Sequence, residues 1–148
     1  MIEFKPLALS DIGVVIDLMQ EFYAIDGYPI DSIKTEQLFI EFINNGKHGK
    51  SWLIYSGTEL VGYTILTFVF SFEYGGQIAF IDELYLSEKA RGKGIGKAAV
   101  AFLQAEAAKL SLKLLYLEVE QHNSNAQKLY LAAGFEIHNR KIMKYRIN

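Results

Sequence analysis

A chain of 148 residues is long enough for one domain with a real core, and 51% apolar and 14% aromatic residues exclude intrinsic disorder as its main character. Fifteen Lys and Arg against seventeen Asp and Glu leave a formal charge of −2, so no basic excess exists to neutralise a nucleic-acid backbone. The lack of cysteine removes disulfides, thiolate metal sites and cysteine nucleophiles, and His48, His122 and His138 match no metal-ligand spacing.

Met1 to Lys5 lacks the charged-then-apolar layout of a signal peptide and reads as a short strand from Ile2. Ser10 or Asp11 can cap a helix whose apolar set, Val15, Leu18, Met19, Phe22 and Tyr23, follows the i, i+3, i+4 rule. Gly27-Tyr28-Pro29 breaks it. A second helix starts near Asp31-Ser32, carries Leu38, Phe39, Phe42 and Ile43 on one face, and stops at Asn44-Asn45-Gly46. Ser51 to Tyr55 reads as a strand, turned by Ser56-Gly57 into a longer one from Leu60 to about Glu73. Its most apolar part, Tyr63 to Phe72, has roughly half the length a membrane helix needs. Gly75-Gly76 is a hairpin signal, followed by a strand from Ile78 to Leu86.

Gly92 to Leu110 reads as a helix with Ile95, Ala99, Phe102, Leu103 and Leu110 turned inward. Leu114 to Val119 is apolar enough for a strand covered on both faces. Asn123 caps a helix presenting Ala126, Leu129, Tyr130 and Ala133, which Gly134 ends. Met143, Tyr145 and Ile147 then alternate with Lys144 and Arg146, the pattern of a strand with one wet face. The order β-α-α-β-β-β-α-β-α-β-β mixes antiparallel hairpins with one parallel βαβ unit. It predicts a mixed α/β (α+β) sheet rather than a doubly wound one. The expectation is a single domain over residues 1–148 that is soluble and cytoplasmic, with no nucleic-acid or membrane partner. A homodimer is compatible with the sequence, which does not fix the oligomeric state.

The segment richest in chemistry is Arg91-Gly92-Lys93-Gly94-Ile95-Gly96-Lys97, between a strand and a helix. Glycines there bare the backbone N–H groups, the helix start adds four unpaired donors and a positive dipole end, and three cations surround them. That combination suits a pyrophosphate. Two familiar phosphate loops do not match. A P-loop needs Ser or Thr after its lysine, where Ala98 follows Lys97, and the dinucleotide fingerprint needs G-x-G-x-x-G in the first βαβ unit of a parallel fold.

The spacing Arg-x-x-Gly-x-Gly instead resembles the acyl-CoA loop of the GNAT superfamily of N-acyltransferases. The resemblance extends over residues 81–135. Ile81-Asp82-Glu83-Leu84-Tyr85-Leu86 is similar to that family's fourth strand. Asn123-Ser124-Asn125-Ala126-Gln127-Lys128-Leu129-Tyr130, closing with Gly134-Phe135, is similar to its second cofactor segment, N-x-x-A-x-x-L-Y-x-x-x-G-F. The resemblance implies a central mixed sheet of about seven strands flanked by four helices, with parallel strands four and five splayed apart.

It also implies acetyl-CoA as co-substrate, with the pantetheine arm between the splayed strands, and no metal. Leu84, Tyr85 and Leu86 would offer backbone groups to that arm, and Arg91, Gly92, Lys93, Gly94, Ile95, Gly96 and Lys97 would hold the pyrophosphate. Asn123 would contact the pantetheine, alongside a plainer role as a helix cap, with Ala126 beside it. Tyr130, seven residues and about 10 Å further along the same helix, would protonate the departing CoA sulfur. Its place on the apolar stripe also fits a plainer reading as a core aromatic, which the motif match outweighs.

A lysine-like amine is protonated at pH 7, and freeing its lone pair costs about 4.6 kcal/mol. Asp82 and Glu83 are the candidate bases, directly or through water. Neighbouring strand residues face opposite ways, so without a bulge only one can face the cleft, and the sequence leaves that choice open. Glu118 and Glu120 on the next strand are weaker candidates for the base and read more readily as solvated. No nucleophile set appears, which fits direct attack by the amine without a covalent enzyme intermediate.

The acceptor site falls by resemblance to the first two helices and the hairpin, where Tyr23, Asp26, Tyr28, Glu73 and Tyr74 interleave acids with aromatics. That pattern suits a small cationic amine. Two alternatives stand beside it: acetylation of a protein lysine or N-terminal amine, and a non-catalytic acyl-CoA-binding module.

Overall fold

The computed structural model describes Met1–Asn148, and the chain divides into two compact units, Met1–Glu118 and Val119–Asn148. The first is built on one five-stranded sheet in the order β1 (Ile2–Pro6), β2 (Gly49–Ser56), β3 (Glu59–Ser71), β4 (Gly76–Leu86) and β5 (Leu115–Tyr116). All neighbours pair antiparallel except β4 and β5, which run parallel and share ladder positions at Ala79 with Leu115 and Phe80 with Tyr116 only. Gly75 and Gly76 take φ of 78° and 153° at the β3–β4 hairpin, the positive values that their lack of Cβ allows.

The sheet is covered on both faces, and the strands alternate accordingly. On β2, Leu53 and Ile54 are each fully buried, yet they pack on opposite sides. Leu53, Tyr63, Ile65 and Tyr85 meet α1 (Ile12–Ile25) through Val15, Leu18 and Met19, and α2 (Ser32–Asn44) through Phe39. Ile54, Val61, Leu84 and Leu86 meet α3 (Ile95–Lys109) through Ile95 and Ala99. Phe102 of α3 stacks on Phe4 with ring centres 4.1 Å apart and meets Trp52 edge-on. The helix starts follow their local chemistry. Asp31 accepts the backbone N–H groups of Ile33 and Lys34 and caps α2, while the Asp11 carboxylate accepts from the N–H of Ala8 ahead of α1.

The second unit holds α4 (Ser124–Ala132). Asn123 caps it by accepting the Ala126 N–H at 3.1 Å, and Gly134, at φ 96°, lets the chain turn so that Phe135 bonds back to the Tyr130 carbonyl. None of the helices in either unit is long and apolar enough to cross a membrane.

Four expectations need correction. The sheet has five strands, not about seven, because residues 136–148 form no ladder and leave Met143, Tyr145 and Ile147 on the surface. Alternation makes one face apolar, but a strand also needs a partner for its backbone groups, and the tail has none in its unit. The strand expected over Leu114 to Val119 is regular only at Leu115–Tyr116. Third, α3 begins at Ile95 rather than Gly92, since Gly92 and Gly94 sit in the left-handed region. On α2, Phe39 is buried, but Leu38 falls off the narrow stripe and is exposed.

The contrast between Leu103, fully enclosed on α3, and Leu38 gives a direct test of this packing. Leu103→Ala should lose about 2–5 kcal/mol of stability by cavity formation, and Leu38→Ala should stay within about 0.5 kcal/mol. Urea midpoints at constant slope measure both, and equal costs would contradict the placement of the two residues.

Candidate active site

Strand β4 carries one more residue than its partner. Ile65 of β3 pairs with Glu83 and the next residue, Leu66, pairs with Ile81, so Asp82 is the extra residue of a β-bulge. The bulge suspends strict alternation at the acid pair. Glu83 faces α1, on the same side as Tyr63 and Tyr85, and the Thr64 hydroxyl donates to the Glu83 carbonyl at 2.9 Å.

The Glu83 carboxylate is held at both oxygens. The Tyr23 hydroxyl, from α1, donates to Oε2 at 2.5 Å, and the Tyr63 hydroxyl, from β3, donates to Oε1 at 2.6 Å. Burial raises the Glu83 carboxyl above its usual range, the two phenol hydrogen bonds pull it back, and the Asp82 charge adds to the rise. Both phenols hold their protons firmly. Burial is the leading cause for each, and the Glu83 charge and hydrogen bond reinforce it.

Asp82 has a different environment. Burial raises its carboxyl, and the charge of Glu118 raises it further. The β4–β5 ladder ends at Phe80 and Tyr116, and two residues beyond that end on each strand stand Asp82 and Glu118. The two carboxylates thus flank the place where the parallel strands part.

Next along β4, the buried Tyr85 donates to Glu21 Oε1 at 3.0 Å, and the Arg91 guanidinium lies 5.9 Å from the centre of its ring. Arg91 Nε also donates to the Leu86 carbonyl at 3.1 Å, which anchors the start of the glycine turn. Gly92 and Gly94 have φ of 74° and 78°, where a Cβ would be strained, although it would meet no atom within 4 Å. The space above the turn is open. Arg91, Gly92, Lys93, Gly94 and Lys97 are exposed, Ile95 is buried beneath them, and no side chain caps α3 at Gly94. The first turn of α3 therefore presents its N–H groups beside three cations, a donor set that fits a diphosphate.

The remaining sequence candidates are distributed as follows. Tyr23 joins the acid pair directly. The Tyr116 hydroxyl donates to that of Tyr74 at 3.0 Å, with their rings edge-on. Asp26 and Tyr28 follow the end of α1, and Glu73 lies in the exposed hairpin turn. Leu84 and Leu86 turn their side chains into the α3-side core, and Tyr85 turns to the opposite face. In the second unit, Asn123 and Ala126 form the cap of α4. Tyr130 packs edge-on against Phe135, and burial pushes its hydroxyl up to about 12. No group of three or more His, Asp or Glu is arranged to hold a metal. Sequence reasoning missed Tyr63, Glu21 and the position of Glu118. The signal for Tyr63 was a phenol inside the buried run Val61 to Leu66, which must find a hydrogen-bond acceptor.

Comparison with known proteins places these features in a family. The sequence model of the acetyltransferase (GNAT) family matches residues 15–135, crossing both units. The uncharacterized N-acetyltransferase YycN of Bacillus subtilis is 42% identical over 64 residues, 43% of this chain and 41% of that protein. The chain matches between 37% and 52% of the length of such curated relatives. An integron cassette protein from the mobile metagenome of Cole Harbour salt marsh superposes with a TM-score of 0.88 at 32% identity, covering 98% of this chain and 90% of that one. A predicted acetyltransferase of Clostridium acetobutylicum, crystallised with acetyl-CoA, superposes at 0.82 with 14% identity, covering 98% and 96%.

The raised Asp82 carboxyl has a consequence for stability. The native state binds this proton more tightly than the unfolded chain, so the ionised carboxylate destabilises the fold at neutral pH. That cost fades as pH falls through the raised folded value toward the ordinary carboxylate range. Asp82→Asn should therefore be more stable than the wild type at pH 7, with the gap closing near pH 4. Urea unfolding at the two pH values measures it, and a variant less stable at pH 7 would contradict the assignment.

Proposed function

We propose, from the premise that the chain belongs to the acetyltransferase (GNAT) family, that it transfers the acetyl group of acetyl-CoA to the primary amine of a small cationic molecule. On this reading residues 1–148 act as one N-acetyltransferase domain, since the family match crosses both units. The observation that carries the reading is the open glycine turn, with Arg91, Lys93 and Lys97 around the uncapped start of α3. The acetyl-CoA-bound relative is consistent with it.

Bound acetyl-CoA supplies an acetyl thioester. The N–H groups of Ile95, Gly96 and Lys97 bind its diphosphate, together with the three cations. The backbone of Leu84, Tyr85 and Leu86 has no β5 ladder, since pairing stops at Phe80, and it offers N–H and C=O groups to the pantetheine arm. Asn123 and Ala126 would add contacts from the second unit.

The negative charge of Asp82, Glu83 and Glu118 draws an ammonium to the parting of the strands. There the acid pair takes one proton from the ammonium, freeing the lone pair. The nitrogen bonds to the acetyl carbon as the C–S bond breaks, the sulfur takes a proton from Tyr130, and the second amine proton passes through water to restore the Tyr130 hydroxyl. Tyr130, at about 12, keeps its proton at neutral pH, as a donor must. Tyr23, Asp26, Tyr28, Glu73 and Tyr74 form the acceptor side.

Thiol release from acetyl-CoA across a panel of dicationic, monocationic and neutral amines tests the reading. We expect release that depends on a cationic amine, and a loss of about 100-fold in kcat for Tyr130→Phe with CoA affinity retained. CoA binding without transfer to any amine would leave a binding module and overturn the catalytic reading. Full activity in Tyr130→Phe would remove its role as acid.

A further inference from the structure

Two adjacent carboxylates stand at the bulge, and their surroundings separate their roles. Both oxygens of Glu83 are engaged. Each accepts a phenol hydrogen, from Tyr23 at 2.5 Å and from Tyr63 at 2.6 Å. Tyr63 is fully enclosed, so its hydroxyl cannot exchange Glu83 for water without opening the core. The Glu83 backbone is fixed as well, through the Thr64 hydroxyl on its carbonyl. A proton arriving on Glu83 would weaken both phenol bonds, because a neutral carboxyl accepts less strongly than a carboxylate. Asp82, one residue earlier, is the unpaired residue of the bulge and keeps contact with solvent. No donor of the Met1–Glu118 unit reaches its carboxylate, and the charged group that faces it across the parting strands is Glu118.

We infer that Asp82 is the group that takes the amine proton, and that Tyr23 and Tyr63 are positioning residues that hold Glu83 in one orientation beside it. The inference rests on the acetyltransferase reading and goes beyond it by dividing the acid pair. Glu83, held in one orientation, fixes the charge that keeps the ammonium in place. Asp82, with both oxygens free of donors, accepts the proton and later returns it to water. Burial and like charge raise the proton affinity of both carboxyls, and at Glu83 alone two phenol hydrogen bonds offset part of that rise. The groups that bear on the pair are Tyr23 from α1, Tyr63 from β3, and Glu118 beyond β5. The neighbouring Tyr85 is occupied by Glu21 and Arg91.

The test is the pH profile of kcat/KM for amine-dependent thiol release. It compares the wild type with Tyr63→Phe, Tyr23→Phe, Asp82→Asn and Asp82→Glu. Removing a phenol donor raises the proton affinity of Glu83. If Glu83 were the base, the acidic limb would move to higher pH in both phenylalanine variants. We expect the limb to stay in place in both, with the KM for the amine rising about tenfold and kcat changing much less. Asp82→Asn should lose about 100-fold in kcat together with the limb, and Asp82→Glu should restore part of both. Tyr23, only half-buried, keeps the test open should Tyr63→Phe fail to fold. A limb that shifts upward in either phenylalanine variant, or survives in Asp82→Asn, overturns the inference and leaves the acetyltransferase reading intact. A wild type without amine-dependent release removes that reading, and this inference with it.

Discussion

Strands β4 and β5 hold a ladder at two positions only, and the acid pair and the glycine turn both lie beyond its end. A parallel strand that loses its neighbour must satisfy its backbone groups elsewhere. From Ile81 to Leu86 the edge of β4 that faced β5 has no ladder partner in this unit, while its other edge stays bound to β3 as far as Leu86. The same stretch contains the bulge, the acid pair and the carbonyl that anchors Arg91. A bulge, charge and unpaired backbone gather in this short stretch, which the surrounding sheet, covered on both faces, holds in place.

Charge is distributed along this strand by sign. At one end, Asp82, Glu83 and Glu118 crowd like charges, and the cost is met by two phenols that solvate Glu83 in place of water. At the other, Arg91, Lys93 and Lys97 surround the bare start of α3. Tyr85 lies between, its hydroxyl on Glu21 and its ring under Arg91. On the proposed reading, the ammonium would be received at the acidic end and the diphosphate at the basic turn that follows the strand.

Much of this was legible in the sequence because it is local. Gly75-Gly76 marks its hairpin, and Asp31 and Asn123 cap the helices that follow them. The cations of Arg91 to Lys97 alternate with glycines over a few residues, so pattern alone locates the exposed, uncapped turn that starts α3. The family match over residues 15–135 agrees with the motifs that suggested it. What was not legible depends on distance along the chain. Tyr63 reads as one more apolar residue in a buried strand, and only its register opposite Tyr85 brings it to Glu83, 20 positions away. The bulge leaves no signature in Ile81-Asp82-Glu83-Leu84, and without it the choice between the two acids could not be made. The tail misled for the opposite reason, since Met143, Tyr145 and Ile147 alternate well but lack a ladder.

A calorimetric titration of the protein with CoA, set against pantetheine, which lacks the diphosphate, tests the account most directly. Saturable CoA binding that weakens as salt is raised, with pantetheine bound far more weakly, is the predicted result. Equal affinity for the two, or no saturable heat with CoA, would contradict it.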